Sequence, residues 1–101
     1  MKKDWTFLSN HGRVFAYIAK HPSTTTQEAA QQAGLSIRAV QQMISDLEEC
    51  GYIAKRKEGR RNCYTVHSEL PMRHRLEGEH AVGDILVALG YRNQKNDAVI
   101  T

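Results

Sequence analysis

The sequence predicts a mainly α-helical domain that carries one small β-hairpin and ends in a further helix. Three observations predict it. Two short helix-like stretches, "TTTQEAAQQAG" and "SIRAVQQMISDLEEC", stand back to back and break at "AGLS". Two strand-like runs, "YIAKRKE" and "RRNCYTV", then flank Gly59. Finally, Val82, Ile85, Leu86 and Leu89 repeat at i, i+3, i+4 and i+7, the spacing of one helical face. With 101 residues, 41% of them apolar and 25% charged, the composition is that of one globular domain with a thin core.

Each element has its own local signals. The first helix begins at Ser9 or Asn10, either of which can cap it, and stops at Pro22. Val14, Phe15, Ile18 and Ala19 lie on one face of it. Ser23 to Thr26 supply hydroxyls ahead of the second helix. Thr25 and Glu28 have the spacing of a capping box, and Gly34 follows the helix end. Ser36 caps a third helix, Ile37 to about Cys50, with Val40, Met43, Ile44 and Leu47 as its stripe and Gly51 as its stop. In the second strand Asn62, Tyr64 and Val66 alternate with Cys63 and Thr65, so one face can pack while the other stays wet. A last helix is predicted from about Met72 to Leu89, after Pro71. The tail "YRNQKNDAVIT" has no period and reads as loosely ordered.

The second and third helices are spaced as a helix-turn-helix. Ala29, Ala33, Leu35, Val40 and Met43 are apolar where two short helices cross. Ala30 is small at the close approach, and Gly34 permits the left-handed turn. In such a unit the second helix enters the DNA major groove. Its outward side chains here are Ser36, Arg38, Gln41, Gln42 and Ser45. Arg can bond guanine and Gln adenine in bidentate fashion. The hairpin that follows carries Lys55, Arg56, Lys57, Arg60 and Arg61 against Glu58 alone. A cationic hairpin in this position is a wing, able to lie on phosphates or the minor groove. The competing readings are a merely solvated helix face and an edge blunted by charge.

The stretches "LSNHGRVFAYIAKHP", "AGLSIRAVQQMISDLEECGYI", "GRRNCYTV" and "LPMRHRLEGEHAVGDILVALG" resemble the MarR-like winged-helix transcriptional regulators, in particular a bacterial group of short single-domain members. The resemblance runs from Leu8 to Gly90. It implies a DNA-binding homodimer in which Arg38, Gln41 and Gln42 face bases and Arg60 and Arg61 serve the wing. Arg75 stands where the group commonly has proline, which implies a last helix that starts early and runs straight. The expected organisation is a winged helix-turn-helix over residues 1–69 (helix-turn-helix about 25–50, wing about 52–67), a dimerisation helix over 70–90 and a tail over 91–101. Leu76, Val82, Ile85, Leu86 and Leu89 are the expected dimer contacts.

Other chemistries find less support. Neither the five histidines nor Cys50 and Cys63 match a zinc signature, so no metal or other cofactor is expected. Cys50 reads as a small buried residue, and Cys63 as exposed enough for a redox role that lacks a resolving partner. No phosphate-cradling loop or nucleophile elbow suggests an enzyme. RNA binding would call for an exposed aromatic platform, whereas Trp5 and Phe7 are expected to cover the core. The alternative of a different class is a winged helix that contacts proteins, or a nonspecific DNA binder. The N-terminus lacks a signal-peptide pattern and no apolar run spans a bilayer, so the expected location is the cytoplasm, at the bacterial nucleoid.

Overall fold

The structure, a computed structural model, describes residues 5–59 and 61–90. Chain order is α1 (Asn10–Lys20), α2 (Thr26–Ala33), α3 (Ile37–Glu49), β1 (Ile53–Glu58), β2 (Arg61–Val66) and α4 (Gly83–Ala88). The architecture is three helices packed on one another, a two-stranded antiparallel hairpin and a short closing helix.

The caps form where the sequence places them. Ser9 Oγ accepts from the Gly12 amide at 3.1 Å, which decides between the two candidate caps of α1. Thr25 and Glu28 close a reciprocal capping box on α2, and Gly34 ends that helix in the left-handed region at φ 71°. Ser36 Oγ accepts from the Ala39 amide at 3.0 Å at the start of α3. These bonds satisfy amides that a helix leaves unpaired in its first turn. The core collects Val14, Phe15 and Ile18 of α1, Ala29 and Ala30 of α2, Val40 and Ile44 of α3, and Tyr52, Ile53, Tyr64 and Leu86. Small alanines on α2 let it approach α3 closely.

The hairpin pairs Ile53 with Val66 and Lys55 with Tyr64, and closes at Glu58 opposite Arg61. Ile53 and Tyr64 are buried, so this face of the hairpin packs inward. The Tyr64 amide donates to the Pro22 carbonyl at 2.8 Å, which fastens β2 to the loop that leads into α2.

The C-terminal region departs from expectation. The helix predicted over 72–89 is confined to Gly83–Ala88. Residues 70–72 instead bridge back to 80–82: the Met72 amide donates to the His80 carbonyl at 3.0 Å and the Val82 amide to the Leu70 carbonyl at 2.7 Å. The segment "RHRLEGEHA" offers only Leu76 as a large apolar group, and Leu76 is exposed. With no face to bury, that stretch gains little from helical packing. Arg75 in place of proline therefore does not extend the helix. Gly83 then passes against Ser68, where a Cβ would lie 2.8 Å from the Ser68 carbonyl oxygen. The expected loose tail from Tyr91 onward lies outside the described residues.

Candidate nucleic-acid interface

On α3 the inward stripe is real: Val40 and Ile44 are buried, and Met43 and Leu47 pack against the core. That leaves Ser36, Arg38, Gln41, Gln42 and Ser45 exposed on the outer side of the helix. Arg38, Gln41 and Ser45 have no side-chain hydrogen bond or ion pair among the described residues, so their polar groups are free for an external partner. Ser36 is already engaged as the cap. Gln42 donates from Nε2 to Asp46 Oδ1 at 3.0 Å. Asp46 in turn accepts from His11 Nε2 at 2.8 Å, and these two bonds, His11 first, hold its carboxyl below the ordinary value.

The hairpin is less free than its composition suggests. Lys55 lies 3.9 Å from Glu48 of α3, and Arg56 pairs with Glu58 on its own strand. Arg61 reaches back to α2, where Nη2 meets Glu28 Oε2 at 3.2 Å and Nη1 donates to the Ser23 carbonyl. Lys57 is exposed and has no carboxylate partner among the described residues. Arg60 lies outside the described residues. Glu28 is the hub of the Arg61 contact. The Thr25 amide and then Arg61 bring its pKa down to about 2 from an ordinary 4.5. Arg61 thus braces the hairpin against the start of α2, a role that requires the tertiary fold and that strand patterning cannot reveal.

The expected dimer stripe splits in two. Leu86 is 1% exposed and sits in the chain's own core, and Val82 packs against that core. Leu86 is unavailable as an intersubunit contact, because α4 turns it into the chain's own core, whereas Val82 is half-buried. Ile85 is half-buried. Leu76 and Leu89 remain exposed, and so is Val87, which is absent from the sequence-based stripe. Trp5 and Phe7 do not cover the core. They are 66% and 94% exposed and meet each other edge to face at 5.2 Å. Cys50, expected to be buried, is exposed after the end of α3, and Cys63 is partly buried. An apolar residue lies outside when the element that would cover it is short, and no periodicity in the sequence measures that.

Residues 9–54 match the family profile of winged helix-turn-helix DNA-binding domains. No curated protein matches the sequence. Among solved structures, the chain is similar to MepR, a transcription regulator of the Staphylococcus aureus multidrug efflux pump MepA. The TM-score is 0.53 at 16% identity, over 59% of this chain and 47% of that one. It is also similar to a predicted DNA-binding transcriptional regulator from E. coli, with a TM-score of 0.55 at 19% identity over 77% of this chain and 70% of that one. A variant of ZitR from Lactococcus lactis gives a TM-score of 0.59 at 13% identity over 99% of this chain and 62% of ZitR. The chain therefore spans less than half the length of MepR. The capped α2–α3 pair, the hairpin behind it and these likenesses give the chain the winged helix-turn-helix fold, with the match to the DNA-binding profile carried by residues 9–54.

Proposed function

We propose that the chain is a sequence-specific, double-stranded-DNA-binding transcriptional regulator of the cytoplasm, non-enzymatic and without a cofactor, that acts as a homodimer. The observation that carries this reading is the outer face of α3. It is exposed and polar, and Arg38 and Gln41 are left unpaired among the described residues, on a helix whose opposite face is fixed in the core. Recognition helices present side chains to base edges in this way. The matched profile is a DNA-binding one, and the similar solved structures are described as transcription regulators. Lys57, with Arg60 beside it in sequence, is the part of the wing that would meet phosphates. The exposed Leu76, Val87 and Leu89 would form the two-fold contact.

Salt titration of duplex binding tests the wing. Each phosphate neutralised contributes a slope of about −0.9 in log K against log salt. Lys57→Ala is expected to flatten the slope by about that amount and to weaken binding to all sequences alike. An unchanged slope removes Lys57 from the interface.

A second reading is a winged helix that contacts a protein. It is favoured by the pairing of Lys55, Arg56 and Arg61 with carboxylates, which lowers the positive charge the hairpin offers. Under that reading no salt-dependent binding to random duplex occurs.

A further inference from the structure

Asp46 lies one helical turn beyond Gln42 on α3, and both its carboxylate oxygens are taken. Oδ1 accepts from Gln42 Nε2 at 3.0 Å and Oδ2 accepts from His11 Nε2 at 2.8 Å. His11 stands in the first turn of α1, which the core locks against α3. An ionised carboxylate can only accept hydrogen bonds, so Gln42 must turn its amide nitrogen toward Asp46. A free glutamine amide can present either end to a base. Here one N–H is spent inside the protein, while Oε1 has no donor among the described residues.

We propose that Asp46, anchored by His11, is a positioning residue that fixes the base preference of Gln42, holding its amide nitrogen so that Oε1 and one remaining N–H face the duplex. This inference rests on α3 reading bases. An acceptor beside a single donor complements adenine, which shows the N6 donor and N7 acceptor in the major groove. It opposes guanine, whose O6 and N7 both accept. Adenine at the contacted pair is therefore the selected base. Asp46 makes no base contact in this arrangement. Its negative charge repels phosphate, so a purely electrostatic role and an orienting role have opposite signatures. Removing charge alone raises affinity for every sequence. Removing orientation erodes preference at one base pair.

The test is selection of bound sequences from a random duplex pool by the full chain. It compares wild type with Gln42→Ala, Asp46→Ala, His11→Ala and His11→Gln. The sites are exposed or half-exposed and alanine favours helix, and thermal unfolding of each variant verifies that it folds. Wild type is expected to prefer adenine over guanine by about tenfold or more at one pair in each half-site, as a bidentate contact allows. Gln42→Ala abolishes that preference, and Asp46→Ala reduces it to about threefold or less while the other positions keep theirs. His11→Ala weakens it in part, and His11→Gln, which retains a donor, restores it. Uniformly higher affinity in Asp46→Ala with the adenine preference intact overturns the inference and leaves base reading by α3 standing. So does a motif in which no position depends on Gln42. If wild type selects no motif, the base-reading proposal falls and the role of Asp46 falls with it.

Discussion

Arg38 and Glu28 show how differently two exposed charges can be employed. Arg38 projects from α3 with no partner among the described residues, whereas Glu28 is committed to Thr25 and Arg61. Replacing Arg38 with Ala is expected to lower affinity for a selected site by about 1–3 kcal/mol and to leave random-duplex affinity nearly unchanged. Competition binding against both duplexes reads the difference. For Glu28 the pH dependence follows from its pKa, depressed to about 2 from 4.5. The folded state binds the proton less readily than the unfolded chain, so the stabilisation is complete above about pH 4.5 and is lost as pH falls toward 2. Glu28→Gln is expected to be less stable than wild type near neutrality. Urea midpoints of the two proteins are expected to converge between pH 4.5 and pH 2. A gap that does not narrow with acid shows that the Glu28 carboxylate contributes no net stability.

At the scale of elements, glycine sites test the turns that hold the helix-turn-helix and α4. Gly34 has φ 71° with open space around its Cα, so Gly34→Ala meets no clash and pays only for the left-handed conformation, about 1–2 kcal/mol. Gly83 differs in kind: an added Cβ meets the Ser68 backbone, and Gly83→Ala is expected to cost about 1–3 kcal/mol through overpacking. Denaturant unfolding distinguishes them. If Gly34→Ala matches wild type, the left-handed turn carries no penalty for a side chain, and if Gly83→Ala does, the approach to Ser68 is not needed for stability. The capping residues, the Gly34 turn and the inward stripe of α3 were legible because they are local patterns, set by spacing within a few residues. The last helix was not. Its helical spacing holds only over Gly83–Ala88, because the segment before it closes local turns at His74–Glu77 and Glu77–His80 and ties its end, through His80 and Val82, back to residues 70–72.

For the whole molecule, the decisive substitution pair is Leu86→Asp and Val87→Asp. Leu86 is an integral core residue at 1% exposure, so a buried aspartate there is expected to unfold the domain rather than to yield a folded monomer. Val87 is 69% exposed, and Val87→Asp is expected to leave the fold intact while converting a dimer to a monomer. Sedimentation with circular dichroism separates the outcomes. A wild type that is monomeric at micromolar concentration refutes the homodimer. Neighbouring positions on one six-residue helix thus serve different purposes, one inside the chain and one outward.

The sequence by itself determined the helix-turn-helix, the hairpin, the caps of α2 and α3 and which side chains of α3 face outward. All of these depend on 3.6- and 2-residue periods, on capping chemistry and on the conformational freedom of Gly34. Only the tertiary structure decided that Arg61 braces α2, that Trp5 and Phe7 are exposed, that Leu86 completes the core and that Asp46 ties Gln42 to His11. The physical reason is distance along the chain. His11 and Asp46 are 35 residues apart and Arg61 and Glu28 are 33 apart, so each pair exists only once the helices have docked. Spacing determines which face a residue occupies. Docking determines what that face meets.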